Sequence, residues 1–168
     1  AVIDTTSSMK LYSLKKYNTR LNNFYSKPSC VNLNMFSLTY SKDKKLLKKY
    51  NLNNDNIICV YAGKTGGLYL EEEIFDFFLS CYNYWKDKFR IIFLHNVTQN
   101  KIENYLKQKN IPENICIIEF INHYQIPTYI GLADFALNPV NPVPSKRYCT
   151  SMKDGEYWAM GLPVVITK

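Results

Sequence analysis

The fold of this chain is decided around the stretch IICVYAGKTGG, residues 57–67. Its first six residues form a continuous apolar run with Ile and Val, which predicts a strand covered on both faces. The glycines that follow predict a tight turn, and residues 70–85 predict a helix with an acidic start and one apolar side. A strand, a Gly-rich loop and a crossover helix are the repeating unit of a parallel sheet.

The same alternation continues to the end of the chain. The further strands are predicted at residues 89–94, 115–120, 135–137 and 164–166, and the helices at 98–109, 126–132 and 151–160. Thr98 and Ser151 are the expected N-caps, and Gly161 is expected to end the last helix. The sequence therefore predicts an α/β fold with a Rossmann-like, doubly wound parallel sheet, whose ligands bind beyond the carboxyl ends of the strands.

The first fifty residues are more polar. Val2 and Ile3 resemble the end of a strand, and a helix is predicted at residues 9–17. A basic amphipathic helix is predicted at residues 41–50, with Leu46, Leu47 and Tyr50 on its inner side. Asn51 to Asn56 are expected to break it before the first strand of the sheet.

The charge of the chain points to an anionic partner. The sequence has 168 residues, enough for one α/β domain, and a formal net charge of +7. A phosphorylated metabolite, an anionic membrane or a nucleic acid would suit this charge. The five lysines from Lys42 to Lys49 are interpreted first as a solvated helix face. The alternative is a patch that faces the anionic inner leaflet of the plasma membrane.

Cysteine and histidine usage argues against disulfides and metals. The five cysteines form no CxxC, and their odd count is typical of reduced thiols in a cytoplasmic protein. His95 and His123 have no neighbours at metal-ligand spacing, so we expect packing or hydrogen-bonding roles and no metal site. No apolar stretch reaches the length of a transmembrane helix.

The last predicted helix carries the clearest sign of a binding site. The unpaired amides of its first turn and the positive end of its dipole favour an anion such as a phosphate. Lys153 lies in that turn, where a cation is unfavourable unless an anion binds. Glu156 follows one turn later, a spacing that suits a carboxylate holding ribose hydroxyls. The alternative is a plain capped helix, in which Ser151 and Asp154 form a capping box and Glu156 is a surface residue.

The Gly-rich turn at residues 63–67 is a weaker sign. Glycines let a ligand approach the backbone, and Lys64 could neutralise a phosphate. The stretch is neither a Walker A loop nor a GxGxxG motif. The alternative is a tight strand-to-helix turn with an exposed lysine.

Residues 151–165, SMKDGEYWAMGLPVV, closely resemble the donor-site motif S-x-K-x-x-E-Y-x-A-x-G-x-P-V of retaining GT-B glycosyltransferases of the family-4 kind. Other stretches resemble the same family in the expected order: IPTYI with ADFALNP within residues 126–139, YAGK at 61–64, and the crossing between the two domains at 7–36. The resemblance covers nearly the whole chain. Its last motif is specific, and the others are loose but ordered.

The resemblance implies a donor site for a nucleotide diphosphate sugar, with no metal or other cofactor. The donor-binding residues that it implies are Gly63, Lys64, Ser151, Met152, Lys153 and Glu156. Glu156 would hold the ribose, while the first turn of the last helix and the Gly-rich loop would meet the diphosphate. Their positive charge would stabilise the leaving group. No catalytic residue is assigned.

The resemblance also implies a domain organisation. Residues 1–40 would be the tail of an N-terminal acceptor domain and the crossing from it, and residues 41–168 the nucleotide-sugar-binding domain, truncated at its C-terminal end. The acceptor would be a polysaccharide or a lipid-linked glycan bound through the missing N-terminal domain. We therefore expect a cytoplasmic enzyme, with peripheral contact at the inner face of the plasma membrane, of which this piece alone is inactive.

Two departures from the family keep other functions open. Tyr148 stands eight positions before Glu156, where the family often has a glutamate, and Tyr69 or Leu70 stands where a second basic residue is frequent. The alternative function is a non-catalytic nucleotide-binding α/β module. A nucleic-acid-binding domain ranks last, because most aromatic residues fall at core-like positions.

Overall fold

A computed structural model describes residues 1–19, 22–40, 42–94 and 99–167 of the chain. Two short strands, β1 (Val2–Asp4) and β2 (Phe24–Ser26), pair in parallel. Five further strands form a second, wholly parallel sheet in the order β5-β4-β3-β6-β7. Their bounds are β3 (Ile57–Ala62), β4 (Phe89–Leu94), β5 (Cys116–Glu119), β6 (Phe135–Asn138) and β7 (Val164–Ile166).

Six α-helices connect these strands within the described ranges. They are α1 (Ser8–Tyr17), α2 (Lys44–Lys49), α3 (Glu72–Trp85), α4 (Gln99–Gln108), α5 (Ile126–Ile130) and α6 (Met152–Ala159). Each neighbouring pair in the large sheet is parallel, because a helix or a long loop carries the chain back to the same end. In the part of the chain that is described, no helix has both the length and the apolar character needed to cross a membrane.

Helices cover both faces of the large sheet. Alternate side chains of β3 point to opposite faces, as they do in any strand. Ile58 and Val60 pack with residues of α5 and α6 and with the inner side of α2. Cys59 and Tyr61 pack with residues of α3 and α4 on the other face. This arrangement confirms the doubly wound parallel sheet that the continuous apolar runs predicted.

The strand order reverses beside β3. From β3 the chain moves outward through β4 to β5, then returns to the other side of β3 and continues through β6 to β7. The loops that leave the carboxyl ends of β3 and β6 lie at this switch in strand order, near which doubly wound sheets bind ligands. The first loop begins at Gly63 and the second follows Asn138, so both predicted binding segments lie at this edge.

Most of the predicted elements are present. The bounds of β3, β4 and β7 are as predicted, while α3 and α5 are shorter by two residues at one end and β5 by one residue at each end. Strand β2 was not predicted, because Phe24–Ser26 lies in a polar, Asn-rich stretch. Thr98, the expected cap of α4, and His95 lie outside the described residues.

The basic helix α2 is shorter than the predicted range 41–50. Its N-terminus is fixed by Asp43, whose carboxylate accepts hydrogen bonds from two backbone N–H groups of the first turn. Lys42 has a φ of 49°, which a right-handed helix does not allow, and Ser41 lies outside the described residues. The prediction that Leu46, Leu47 and Tyr50 face inward is confirmed.

Candidate functional site

A cleft of about 710 Å³ lies beyond the carboxyl ends of β6 and β7. The first turn of α6 forms its floor, and the loop between β6 and α6 forms one wall. Ser29 and Tyr69 complete its rim from the N-terminal segment and from the loop after β3. The cleft thus lies at the carboxyl edge of the sheet, where doubly wound sheets bind ligands, on the β6–β7 side of the switch in strand order.

The start of α6 is fixed by the end of β6. Ser151 caps the helix, since its hydroxyl oxygen accepts a hydrogen bond of 3.2 Å from the backbone N–H of Asp154. The buried amide of Asn138 donates to the hydroxyl of Ser151 at 3.0 Å and to the carboxylate of Asp154 at 2.6 Å. The capped helix of the plain interpretation is therefore present, and a polar side chain from the neighbouring strand holds it in place.

Lys153 is the unusual cation of the site. Its Nζ is buried and has no hydrogen-bond partner among the described residues. It lies 3.7 Å from the ring centroid of Tyr69 and 5.0 Å from that of Tyr61. Burial lowers the pKa of Lys153 to about 8, although the carboxylates of Glu156 and Asp154 act in the opposite direction. An ammonium buried in this way is stabilised by any anion that enters the cleft.

Gly63 lies directly against Lys153. A β carbon at Gly63 would collide with Nζ and Cε of Lys153, so the absence of a side chain there makes room for the lysine. The backbone N–H of Gly63 donates to the carbonyl of Leu94 at 2.9 Å, which ties the loop to the end of β4. The structure therefore brings together two residues that the sequence analysis placed at one edge of the sheet.

Glu156 is half-buried one turn further along α6. Burial raises the pKa of the Glu156 carboxyl, while His123 and Lys153 act electrostatically to lower it. His123 follows β5 and is exposed, and its ring contacts Phe36 edge-to-face with centroids 6.0 Å apart. The packing role expected for His123 is thus accompanied by an electrostatic interaction with Glu156.

The remaining predicted site residues differ in their placement. Met152 lines the cleft and is 63% exposed. Lys64 is exposed, and its carbonyl accepts a hydrogen bond from the Tyr61 hydroxyl. Ser151, Met152 and Lys153 line the cleft, whereas Gly63, Lys64 and Glu156 are not among its lining residues. Of these last three, Gly63 and Glu156 still border Lys153.

Sequence reasoning assigned no role to two residues that shape the site. Tyr69 was noted only as a departure from the family pattern, and Asn138 only as part of a loose motif. The signal for Asn138 was a polar side chain at the end of an apolar strand, where it can turn towards a ligand edge. No signal in the sequence pairs Tyr69 with Lys153, because their contact depends on how two loops meet.

The loop between β6 and α6 is also held by the N-terminal segment. The hydroxyl of Thr5 donates to the carbonyl of Tyr148 at 3.0 Å, and the ring of Tyr148 lies 5.0 Å from that of Tyr12 on α1. The backbone N–H of Ser29 donates to the hydroxyl of Thr150 at 3.1 Å. Tyr148 thus packs against α1 and is not a lining residue of the cleft.

The basic run at α2 is partly neutralised. Lys42 pairs with Asp134 at 2.8 Å, and Lys49 pairs with Glu119 at 2.9 Å. The other three lysines of the run are exposed. This is the pattern of a solvated helix face. Within the described ranges, no group of three His, Cys, Asp or Glu residues could hold a metal ion.

Comparisons with family models and with curated proteins give no match. Solved structures do match. WaaG, a glycosyltransferase involved in lipopolysaccharide biosynthesis, superposes with a TM-score of 0.76 at 12% identity, over 98% of this chain and 43% of that one. An α,α-trehalose 6-phosphate synthase from Burkholderia multivorans gives a TM-score of 0.70 at 12% identity, over 98% and 43%.

A third structure is itself a separate domain. The C-terminal domain of LpcC, a glycosyl transferase group 1 family protein from Francisella tularensis, gives a TM-score of 0.59 at 14% identity, over 83% of this chain and 71% of that one. The chain spans less than half the length of the WaaG and trehalose synthase structures. Identities this low show the fold alone, and that fold is the Rossmann-like one of GT-B glycosyltransferases.

Proposed function

We propose that this chain is the donor-binding half of a retaining glycosyltransferase and that its cleft binds a nucleoside diphosphate sugar. The observation that carries the proposal is Lys153, a buried ammonium in the first turn of α6 without a hydrogen-bond partner in the described structure. The fold shared with solved glycosyltransferases supports the same proposed function.

The electrostatics of α6 favour a diphosphate. Burying a charge costs free energy unless a partner compensates it, and here the compensating anion would be the ligand. The unpaired amides of the first turn of α6 add further donors, and the helix dipole adds positive potential. In the transfer step, negative charge grows on the departing diphosphate, and these same groups stabilise it more strongly in the transition state.

The other residues take parts that follow from their positions. Glu156, one turn along α6 from Lys153, would accept hydrogen bonds from the ribose hydroxyls. Gly63 would act through Lys153, because its missing side chain leaves room for the lysine beside the loop after β3. Lys64 is exposed in that loop and would neutralise phosphate only after turning towards the cleft. No metal is required by this scheme, since Lys153 and the helix dipole supply the positive charge.

The acceptor and the cellular location of the enzyme belong to the same proposal. We propose a polysaccharide or lipid-linked glycan as acceptor, bound by a further domain of the enzyme. The cytoplasmic side of the plasma membrane would suit both this acceptor and the net charge of +7.

The test is a calorimetric panel on the protein that carries this chain. UDP, GDP, ADP, dTDP, CMP and a short oligonucleotide would be titrated into the wild type, Lys153→Met and Glu156→Ala. We expect one nucleoside diphosphate to bind and both substitutions to weaken it by about tenfold or more. Lys45→Met is the matched control, because it removes one exposed positive charge from α2 and should bind as the wild type does.

One observation favours the alternative, a non-catalytic nucleotide-binding module. Tyr148 stands where the family that the chain resembles often has a glutamate, and its ring packs against Tyr12. The full protein separates the two functions, because only the enzyme would transfer sugar from the identified donor. Binding of the oligonucleotide alone would refute both.

A further inference from the structure

We propose that Tyr69 is a positioning residue of this site, whose ring holds the Lys153 ammonium in place and in its charged form while leaving its N–H donors free for the diphosphate. The inference rests on the proposed function. It concerns a residue to which the sequence analysis gave no role in binding.

The geometry of Lys153 differs from that of other lysines in the structure. Lys42, Lys49 and Lys109 direct their ammonium groups to carboxylate oxygens at 2.8, 2.9 and 2.6 Å. Lys153 forms no ion pair among the described residues, and its Nζ lies 3.7 Å from the centroid of the Tyr69 ring. The negative face of an aromatic ring attracts a cation most strongly where water is excluded, as it is here.

The backbone fixes the position of the Tyr69 ring. Tyr69 forms an antiparallel bridge with Val140 in the loop after β6. On either side of it, the N–H of Leu70 donates to the carbonyl of Pro139 at 2.8 Å, and the N–H of Asn141 donates to that of Leu68 at 3.0 Å. The loops that follow β3 and β6 are thus joined at Tyr69, and its ring stays over the ammonium without needing its hydroxyl.

A ring stabilises the ammonium without competing for the ligand. A carboxylate in the same place would occupy the N–H donors of Lys153 and would repel a phosphate. A ring accepts no strong hydrogen bond, so the N–H donors that point away from it remain for the diphosphate oxygens. Tyr69 therefore gives this site an ammonium that is both charged and unpaired.

The charge of Lys153 also makes binding depend on pH. The titratable side chains around Lys153 are those of Tyr61, Tyr69, Asp154 and Glu156, and Lys146 lines the same cleft. Because burial lowers the pKa of Lys153 to about 8, the ammonium loses its proton as the pH rises through that value. Affinity for the diphosphate is then expected to fall. Loss of the ring should favour the neutral amine and move this fall to lower pH.

The experiment measures nucleoside diphosphate affinity by calorimetry between about pH 7 and 9.5, a range that begins about one unit above the phosphate pKa near 6. The variants of the protein that carries this chain are Tyr69→Phe, Tyr69→Leu, Lys153→Met and the double variant Lys153→Met with Tyr69→Leu. We expect Tyr69→Phe to behave as the wild type. Tyr69→Leu should bind about tenfold more weakly at neutral pH, and the pH midpoint of its loss of affinity should be lower than that of the wild type. The double variant should bind no more weakly than Lys153→Met.

A fluorinated phenylalanine at the same position tests the ring without changing its shape. Fluorine withdraws electrons from the ring face, so affinity should fall relative to Tyr69→Phe although the packing is kept. Equal affinity of these two proteins, or an unchanged or upward-shifted midpoint in Tyr69→Leu, would overturn the role of Tyr69. An unchanged affinity in Lys153→Met would instead overturn the proposed site itself, so the two failures are distinct.

Discussion

The phenolic oxygen of Tyr157 on α6 accepts a hydrogen bond of 3.0 Å from the backbone N–H of Ala62 at the end of β3. Tyr157 is fully buried between the sheet and its covering helices. This bond joins the helix that carries Lys153 to the strand from which the Gly63 loop leaves. The two halves of the candidate site are therefore held together from below, through the core.

Removal of this hydroxyl should destabilise the fold. In Tyr157→Phe, the N–H of Ala62 loses its partner, and we expect the free energy of unfolding to fall by about 1–2 kcal/mol. Urea denaturation would measure the change. Tyr84→Phe is the control, because Tyr84 is 80% exposed and should unfold as the wild type does. Equal midpoints for both variants would contradict the role of this bond.

A methyl group at Gly63 should impair binding. In Gly63→Ala, the new carbon would displace the Lys153 side chain, and nucleotide affinity should fall by about tenfold or more. Gly155→Ala is the control, since its methyl would meet Val31 at an ordinary 3.7 Å. That control should keep its affinity and gain about 0.5–1 kcal/mol of helix stability. Unchanged nucleotide affinity in Gly63→Ala would show that the two residues are not coupled in binding.

Lys153→Met should stabilise the protein at neutral pH while it weakens binding. The folded-state pKa of Lys153 is about 8 and the ordinary value is 10.5. Below about pH 8 Lys153 is protonated in both the folded and the unfolded state, and the full free-energy cost of burying its charge is present. Between the two values the unfolded state binds more protons, so wild-type stability rises with pH.

The stability gain of Lys153→Met should therefore be largest at about pH 7, on the order of 1–3 kcal/mol, and should shrink towards pH 10. Urea denaturation at both pH values would measure it, with Lys45→Met as the exposed-lysine control. A gain that does not change with pH would refute the unusual titration of Lys153.

Asn138 should tolerate no negative charge. Its amide nitrogen donates to the Asp154 carboxylate at 2.6 Å, so Asn138→Asp would place two carboxylates together. We expect Asn138→Asp to be destabilised by about 2 kcal/mol or more at neutral pH and to recover as acid protonates the pair. Thermal unfolding at about pH 4.5 and pH 7.5 would test this, compared with Asn54→Asp at an exposed turn. Equal losses of stability at both pH values would contradict the close contact between residue 138 and Asp154.

The sequence by itself determined the repeating elements and the position of the binding edge. The apolar runs that form β3 and β4 are local patterns, and a strand buried on both faces must carry such a run. The start of α6 could also be predicted from the sequence, because Ser151 caps the helix by accepting a hydrogen bond from the backbone N–H of its near neighbour Asp154. Gly63, Lys153 and Glu156 could be assigned to one edge, since parallel strands bring their following loops to the same end.

Only the tertiary structure decided what these residues touch. The short strand β2 could not be predicted, because it lies in a polar stretch and its pairing with β1 stabilises it more than its own composition does. The contact between Tyr69 and Lys153, the bond from Asn138 to Asp154 and the packing of Tyr148 on Tyr12 join segments that are distant in sequence. Periodicity and capping act within a few residues, whereas these contacts depend on strand order and on how two loops meet, which no local pattern encodes.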